Sequence, residues 1–237
     1  MAQKSILSIL QTAATELSIP KPNAVTSSQD PNINKLQSFL VAVCDDLLTE
    51  YDWQQAITRY EFSTVSGQES YNLPTDLFKF IDATFYDKNN RWPLKGPKTA
   101  SEWEFLKNAL VTSGPFNRFR VYQNKIFLTP IPGATVYTFV FEYFSNNCIR
   151  DGSTGLPKAE FTQDSDICIF DHRLVVYGVK AKWLASLGQD NSDAVHDYNR
   201  ALDAAKGRDK PGARLTLAPS FGVPLISTAN IPDGNWG

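Results

Sequence analysis

The residues of this chain that could do chemistry are two histidines, three cysteines and four carboxylates in one polar loop. His172 and His196 sit on different predicted helices, and neither has a metal-ligand partner at i+3 or i+4. A metal site needs several converging ligands, so both read as surface or structural residues. Cys44, Cys148 and Cys168 are odd in number and lack paired spacing. They make neither a disulfide framework nor a zinc site, and they fit a reducing compartment. Cys168 falls on a predicted apolar helix, where a free cysteine packs as a small hydrophobe rather than acting as a nucleophile. Asp151, Glu160, Asp164 and Asp166 could in principle supply a glycosidase pair. Nothing brings two of them to a fixed separation, however, and Asp164 and Asp166 read as residues at a helix start. No Gly-x-Ser-x-Gly elbow, phosphate-binding Gly-Lys loop or dinucleotide fingerprint occurs. The aromatic strand 137–143 could stack on a sugar or a base, but burial of its large apolar area is the stronger reading. No catalysis, metal or cofactor is expected.

The composition agrees. The chain has 237 residues, 42% hydrophobic and 20% charged, with a net charge of −2. It can bury a sizeable core. It lacks the basic field of a sequence-specific nucleic-acid binder. No stretch approaches the ~20 apolar residues of a membrane span. The N-terminal run is broken by Gln11, Thr12 and Glu16, so it reads as an amphipathic helix rather than a signal peptide, and the protein as one made and kept soluble in a cytoplasm.

The elements that would position these residues centre on Asp166 to Gly188. Ile167, Phe170, Leu174, Tyr177, Ala181 and Leu184 form one helical stripe, and Ile169, Val176, Val179, Trp183 and Leu187 a second. A helix about 33 Å long and apolar nearly all round needs partners on several faces. Asp164 or Ser165 is its expected cap and Gly188 its stop. Residues 3–18 form a first helix, ended by Pro20 and Pro22. Asp30-Pro31 opens a second, running to about Tyr51, with Ile33, Leu36, Leu40, Val43 and Leu47 inward. After Trp53 the period changes to two, with Thr58, Tyr60, Phe62 and Thr64 on one face of a strand. A helical turn is expected at Thr75 or Asp76, and a strand from Phe80 to Tyr86. Thr99-x-x-Glu102 is a capping box. Gln123-Asn124 joins two strands as a tight hairpin. The strand around Thr138 has apolar residues on both faces, so it is central, or covered by another subunit. Residues 145–165 read as a long irregular loop. A last helix runs from Ser192 to Lys206, closed by Gly207. After 208 periodicity is lost, yet Leu215, Leu217, Phe221, Val223, Leu225, Ile226 and Trp236 are apolar, unlike a disordered tail. The expected class is α+β: a four-helix bundle (1–55 and 164–207) with a β-rich insertion (56–163) and an extended C-terminal arm (208–237).

Several pieces together resemble one family. Trp53, then the run Tyr60-Glu-Phe-Ser-Thr-Val-Ser-Gly-Gln-Glu-Ser-Tyr71-Asn-Leu-Pro74-Thr-Asp76, is similar to the start of the β domain in head-to-tail adaptors of short-tailed bacteriophages, also called tail tubular protein A or head completion proteins. The phrase RVYQNKIFLTPIPG, with Asn124, Pro130 and Pro132, fits the same pattern. So does a helical hairpin of Asp164–Gly188 and Ser192–Gly207. The resemblance covers about residues 3–207.

It implies a non-enzymatic virion protein of the neck or tail, assembled in the host cytoplasm. Subunits would form a twelve-fold homo-oligomeric ring beneath the portal protein, carry the nozzle or tail protein, and pass double-stranded DNA through the lumen as non-specific cargo, with no membrane contact. The seven apolar arm residues would bind the portal. Val176, Val179, Trp183, Tyr137, Phe139 and Phe141 are the candidates for a subunit interface, and Arg150, Asp151 and Lys158 for a tail-side loop. The alternatives are another structural tail or neck protein, or a tail-associated glycan-binding or glycan-cleaving module.

Overall fold

The computed structural model describes residues 4–108 and 117–209. The arm residues named above and the end of the capping-box helix lie outside them.

Five α-helices run in chain order among the described residues: α1 (Ile6–Glu16), α2 (Pro31–Glu50), α3 (Ala100–Asn108), α4 (His172–Ser186) and α5 (Ser192–Asp209). Ser5 caps α1 by accepting from the Ser8 N–H. The helix stops because Ser18 takes a left-handed φ of 56°, ahead of the prolines expected to stop it. α2 starts where the sequence places it, with Asp30 accepting from the Asn32 N–H and Pro31 in the first turn. Its whole predicted inner face is buried, with Cys44 and Leu48 beside it.

α4 is the central helix and packs on α1, α2 and α5. It starts later than expected, because Asp166 to Cys168 are drawn out of the helical pattern into a strand. The cap is therefore Asp171, which accepts from the Arg173 N–H. Asp164 is occupied elsewhere, on the N–H groups of Val25 and Thr26. The stop is close to the expected one: Leu187 caps, and Gly188 follows with φ 66°. Gly207 does not close α5, which continues to Asp209.

The apolar girth of α4 is satisfied inside the chain. Val176, Val179 and Trp183 are buried against the neighbouring helices, with Trp183 edge-on to Phe39 of α2 at 6.3 Å. These candidates for a subunit interface thus pack inside their own chain.

The strands are β1 (Ile57–Ser63), β2 (Ser70–Asn72), β3 (Leu77–Phe80), β4 (Tyr86–Asp87), β5 (Trp92–Pro93), β6 (Arg118–Tyr122), β7 (Lys125–Thr129), β8 (Thr138–Ser145), β9 (Ile149–Arg150), β10 (Pro157–Lys158) and β11 (Ile167–Cys168). All pair antiparallel in three sheets: β1-β8-β4-β5 with β3 also on β8, β2-β7-β6, and β10-β9-β11. Gln123 and Asn124 both have positive φ, as a two-residue hairpin requires. Leu77 to Phe80 is a strand, where a helical turn was expected. Of the strand expected over 80–86 only the two ends pair, Phe80 in β3 and Tyr86 in β4, because the chain reverses at Asp82-Ala83, with Ala83 at φ 62°. Residues 145–165 are mostly loop, as expected, but two short strands within them, β9 and β10, pair with one another.

Two hydrophobic cores result. One gathers α1, α2, α4, α5 and the small β9–β11 sheet, including Cys148, Ile149 and Phe161. The other lies between the two larger sheets, around Phe85, Phe119, Phe139 and Phe141. β8 serves both, because successive side chains alternate faces. Tyr143 joins the second core and Phe144 packs against the first. Phe139 and Phe141, also candidates for the interface, are thus core residues of their own chain, and Tyr137 is half-buried beside them.

Candidate functional site

Three of the four loop carboxylates are fully employed as structural acceptors. Asp166 is wholly buried and accepts from the Lys158 ammonium at 2.9 and 3.0 Å and from the N–H groups of Thr162 and Gln163. Burial pushes its carboxyl up, but the Lys158 ammonium and the two N–H groups outweigh that and hold it below its ordinary value. Asp151 accepts from the N–H groups of Thr154 and Ser153, and these bonds bring its pKa down to about 2. Its other oxygen faces Lys158 at 3.5 Å. Asp164 is likewise held below its ordinary value: burial raises it, and the Thr26 and Val25 N–H groups more than offset that. A glycosidase acid needs a raised pKa. These three are lowered, and they close turns.

Asp151 and Lys158, expected at a tail-side contact, are therefore tied to one another and to Asp166 inside the small sheet. Arg150 turns the other way and donates from Nη2 to the Gln55 carbonyl at 3.3 Å. All three cysteines are free and buried, with Cys44 and Cys168 sulfurs 3.6 Å apart. The neighbouring Cys148 and Cys168 thiols, together with burial, raise the Cys44 pKa and keep it protonated. Among the described residues, no group of three or more His, Cys, Asp or Glu side chains is placed to hold a metal ion. None of the described helices is long and apolar enough to cross a membrane.

What the fold does build is a root for the C-terminal segment, held by three surface contacts. Lys206 pairs with Glu50 at the end of α2 at 2.8 Å. Arg208 pairs with Asp171, the cap of α4, at 3.0 Å. Asp209 accepts from the Gln54 N–H at 2.8 Å. These contacts pin the last turn of α5 at the junction of the helices with β1, beside Arg150. Sequence reasoning missed Gln54, Asp171 and Asp209, because each acts over a long separation. The one local signal was basic residues in the last turn of α5, where a helix C-terminus attracts cations.

A second feature lies at the hairpin end of the β structure. Val65, Ile131 and Val136 are each at least half exposed. Their segments are joined by the Gly67 N–H to the Pro132 carbonyl at 2.9 Å and the Thr64 N–H to the Tyr137 carbonyl at 2.8 Å. Three exposed aliphatic side chains thus sit on segments tied together at the edge of the second core.

Compared with known proteins, residues 4–220 match the family model described as SU10 adaptor protein. Comparison with curated proteins gives no match.

Proposed function

The chain belongs to the SU10 adaptor protein family, and from that premise we propose that it is the head-to-tail adaptor of a bacteriophage particle, forming a ring between portal and nozzle. The family match makes it a structural phage protein that contacts other virion components. The helices around α4 act as one bundle on the portal side, and the β-rich segment 56–163 faces the tail. Copies close into a twelve-fold ring, and DNA passes through the lumen without specific contact. The low net charge suits such a channel, since a strongly basic wall would hold the DNA.

The observation that carries this reading is the pinned root of α5. It launches a segment that holds Leu215, Leu217, Phe221, Val223, Leu225, Ile226 and Trp236 from a fixed point on the helical part. An arm that orders only on its partner makes attachment conditional on that partner. The exposed group of Val65, Ile131 and Val136 is the better candidate for the tail contact. Asp151 and Lys158 already have partners within the chain.

Deleting residues 210–237 leaves α5 and its root intact, so the helical minima of the circular dichroism spectrum should be retained. Co-sedimentation with DNA-filled heads from the native source should be lost, and electron microscopy of full-length complexes should show a ring under the portal. Unchanged attachment of the truncated chain would remove the arm from the reading. Absence of any ring would remove the adaptor assignment.

A further inference from the structure

Among the described residues, β1 is an edge strand with an open side. Its N–H and C=O groups alternate in direction along the strand. Thr64 donates to the Tyr137 carbonyl, so the groups of Thr58, Tyr60 and Phe62 face β8 in the same register. Those of Arg59, Glu61 and Ser63 point the other way, and among the described residues no backbone partner meets them. The far side of β8 agrees: the Thr138 and Glu142 carbonyls accept from Lys88 and Ile81, away from β1. A seven-residue edge of this kind is a template for another strand. Its core-side aromatics, Tyr60 and Phe62, are only half-buried.

The chain also carries a matching segment. Arg214-Leu-Thr-Leu-Ala218 alternates polar and apolar residues and is bounded by Pro211-Gly212 and Pro219, which is the pattern of a short strand. We propose that the open edge of β1 receives Arg214–Ala218 from a second copy of this chain, as an added antiparallel strand.

Magnitudes select a second copy over the same one. Asp209 sits beside Gln54, so a chain's own arm starts at the Ile57 end of β1. From there it could only run parallel. Placing Leu215 and Leu217 beside Tyr60 and Phe62 would then set Arg214 directly beside Arg59, and like charges opposite one another repel. To pair antiparallel, Arg214 must reach the Ser63 end. β1 spans about 20 Å from Ile57 to Ser63, while the five steps from Asp209 to Arg214 reach at most about 17 Å. An arm from another copy has no such limit. Antiparallel, Leu215 lies beside Phe62, Leu217 beside Tyr60 and Thr216 beside Glu61. Arg214 falls beside Ser63, within diagonal reach of Glu61.

Each copy both gives and takes a strand at different surfaces, so the contact can be repeated head-to-tail from copy to copy, as a ring of adaptor subunits requires. The contact holds whether or not a portal is involved. It assigns Leu215 and Leu217 to the neighbouring copy and leaves Phe221 onward for another partner.

The test is residue-resolved hydrogen exchange on the full-length chain over a range of concentrations, with sedimentation to read its association. The Arg59 and Glu61 amides should gain protection as copies associate, and a synthetic peptide of residues 210–220 should protect them in dilute protein. Thr216→Pro removes a strand N–H and should abolish both the protection and the association. Arg214→Glu and Glu61→Arg should each weaken association about two- to five-fold, and the double exchange should restore it. Protection independent of concentration would mean the arm lies on its own β1 and would overturn the proposal. So would the absence of protection under every condition, or association that Thr216→Pro leaves intact.

Discussion

Gly178 of α4 lies so close to Val43 of α2 that a β-carbon on it would stand 2.7 Å from one Val43 methyl and 3.0 Å from the other. The missing side chain is what lets the two helices approach. Tyr198 of α5 closes the same spot at 3.1 Å.

Gly178→Ala therefore works against its own helix propensity. The substitution favours an isolated helix by about 1 kcal/mol, but the branched Val43 has little rotamer freedom to yield. Overpacking of this kind costs about 1–3 kcal/mol. Net destabilisation is expected in urea melts. Val43→Ala opens the space, so the double variant should lose less than the sum of the two single losses. Strict additivity would show that the contact is not tight.

Lys158→Met leaves Asp166 buried with an unpaired charge. Two backbone N–H bonds remain, and Lys158 is itself partly exposed, so the loss is about 2–3 kcal/mol. Lys158→Met combined with Asp166→Asn removes the stranded charge and should recover part of it. A Lys158→Met variant as stable as the parent would show that the network carries no weight.

Stability should fall with acid. Asp151, Asp164 and Asp166 titrate below their ordinary 3.8 in the folded chain. Their contribution is present above that value and is lost as pH falls through the folded values, reaching about 2 for Asp151. Lys158 has the opposite sense. Its pKa is raised from 10.5, so its contribution is present below that value and fades at higher pH. Melting temperature should drop from about pH 4 downward, and Asp151→Asn should flatten part of that drop. An unchanged profile in that variant would exclude Asp151 from the effect.

Asp171 has two separable roles. As the cap of α4 it accepts from the Arg173 N–H, and it also faces Arg208. Asp171→Ala removes both and should cost about 1 kcal/mol or slightly more. Asp171→Asn keeps a capping oxygen and loses a partly exposed ion pair, so it should stay within about 0.5 kcal/mol of the parent. Equal losses in the two variants would mean that the ion pair, not the cap, dominates.

The parts of the fold legible in the sequence are those whose cause is local. The Asp30-Pro31 start, the Thr99–Glu102 capping box and the Gln123-Asn124 hairpin each form as the residue types dictate. What escaped depends on distant partners. Ile167 and Cys168 have helical spacing, yet β9 and the buried Lys158–Asp166 pair pull them into a strand. The apolar excess of α4 pointed beyond the chain, but α1, α2 and α5 absorb it. The arm's apolar residues were visible in the sequence; its root was not. Gln54, Asp171 and Asp209 meet their partners only after the helices have packed.

The chain enters the larger sheet at Ile57 and leaves it past Phe144, and these two residues stand opposite one another in the β1–β8 ladder. The inserted segment thus hangs from a single two-stranded stem. Cutting it out and bridging the stem would leave two ends already side by side. Natural variation can therefore lengthen, shorten or exchange this cassette while α1, α2, α4 and α5 keep their mutual packing.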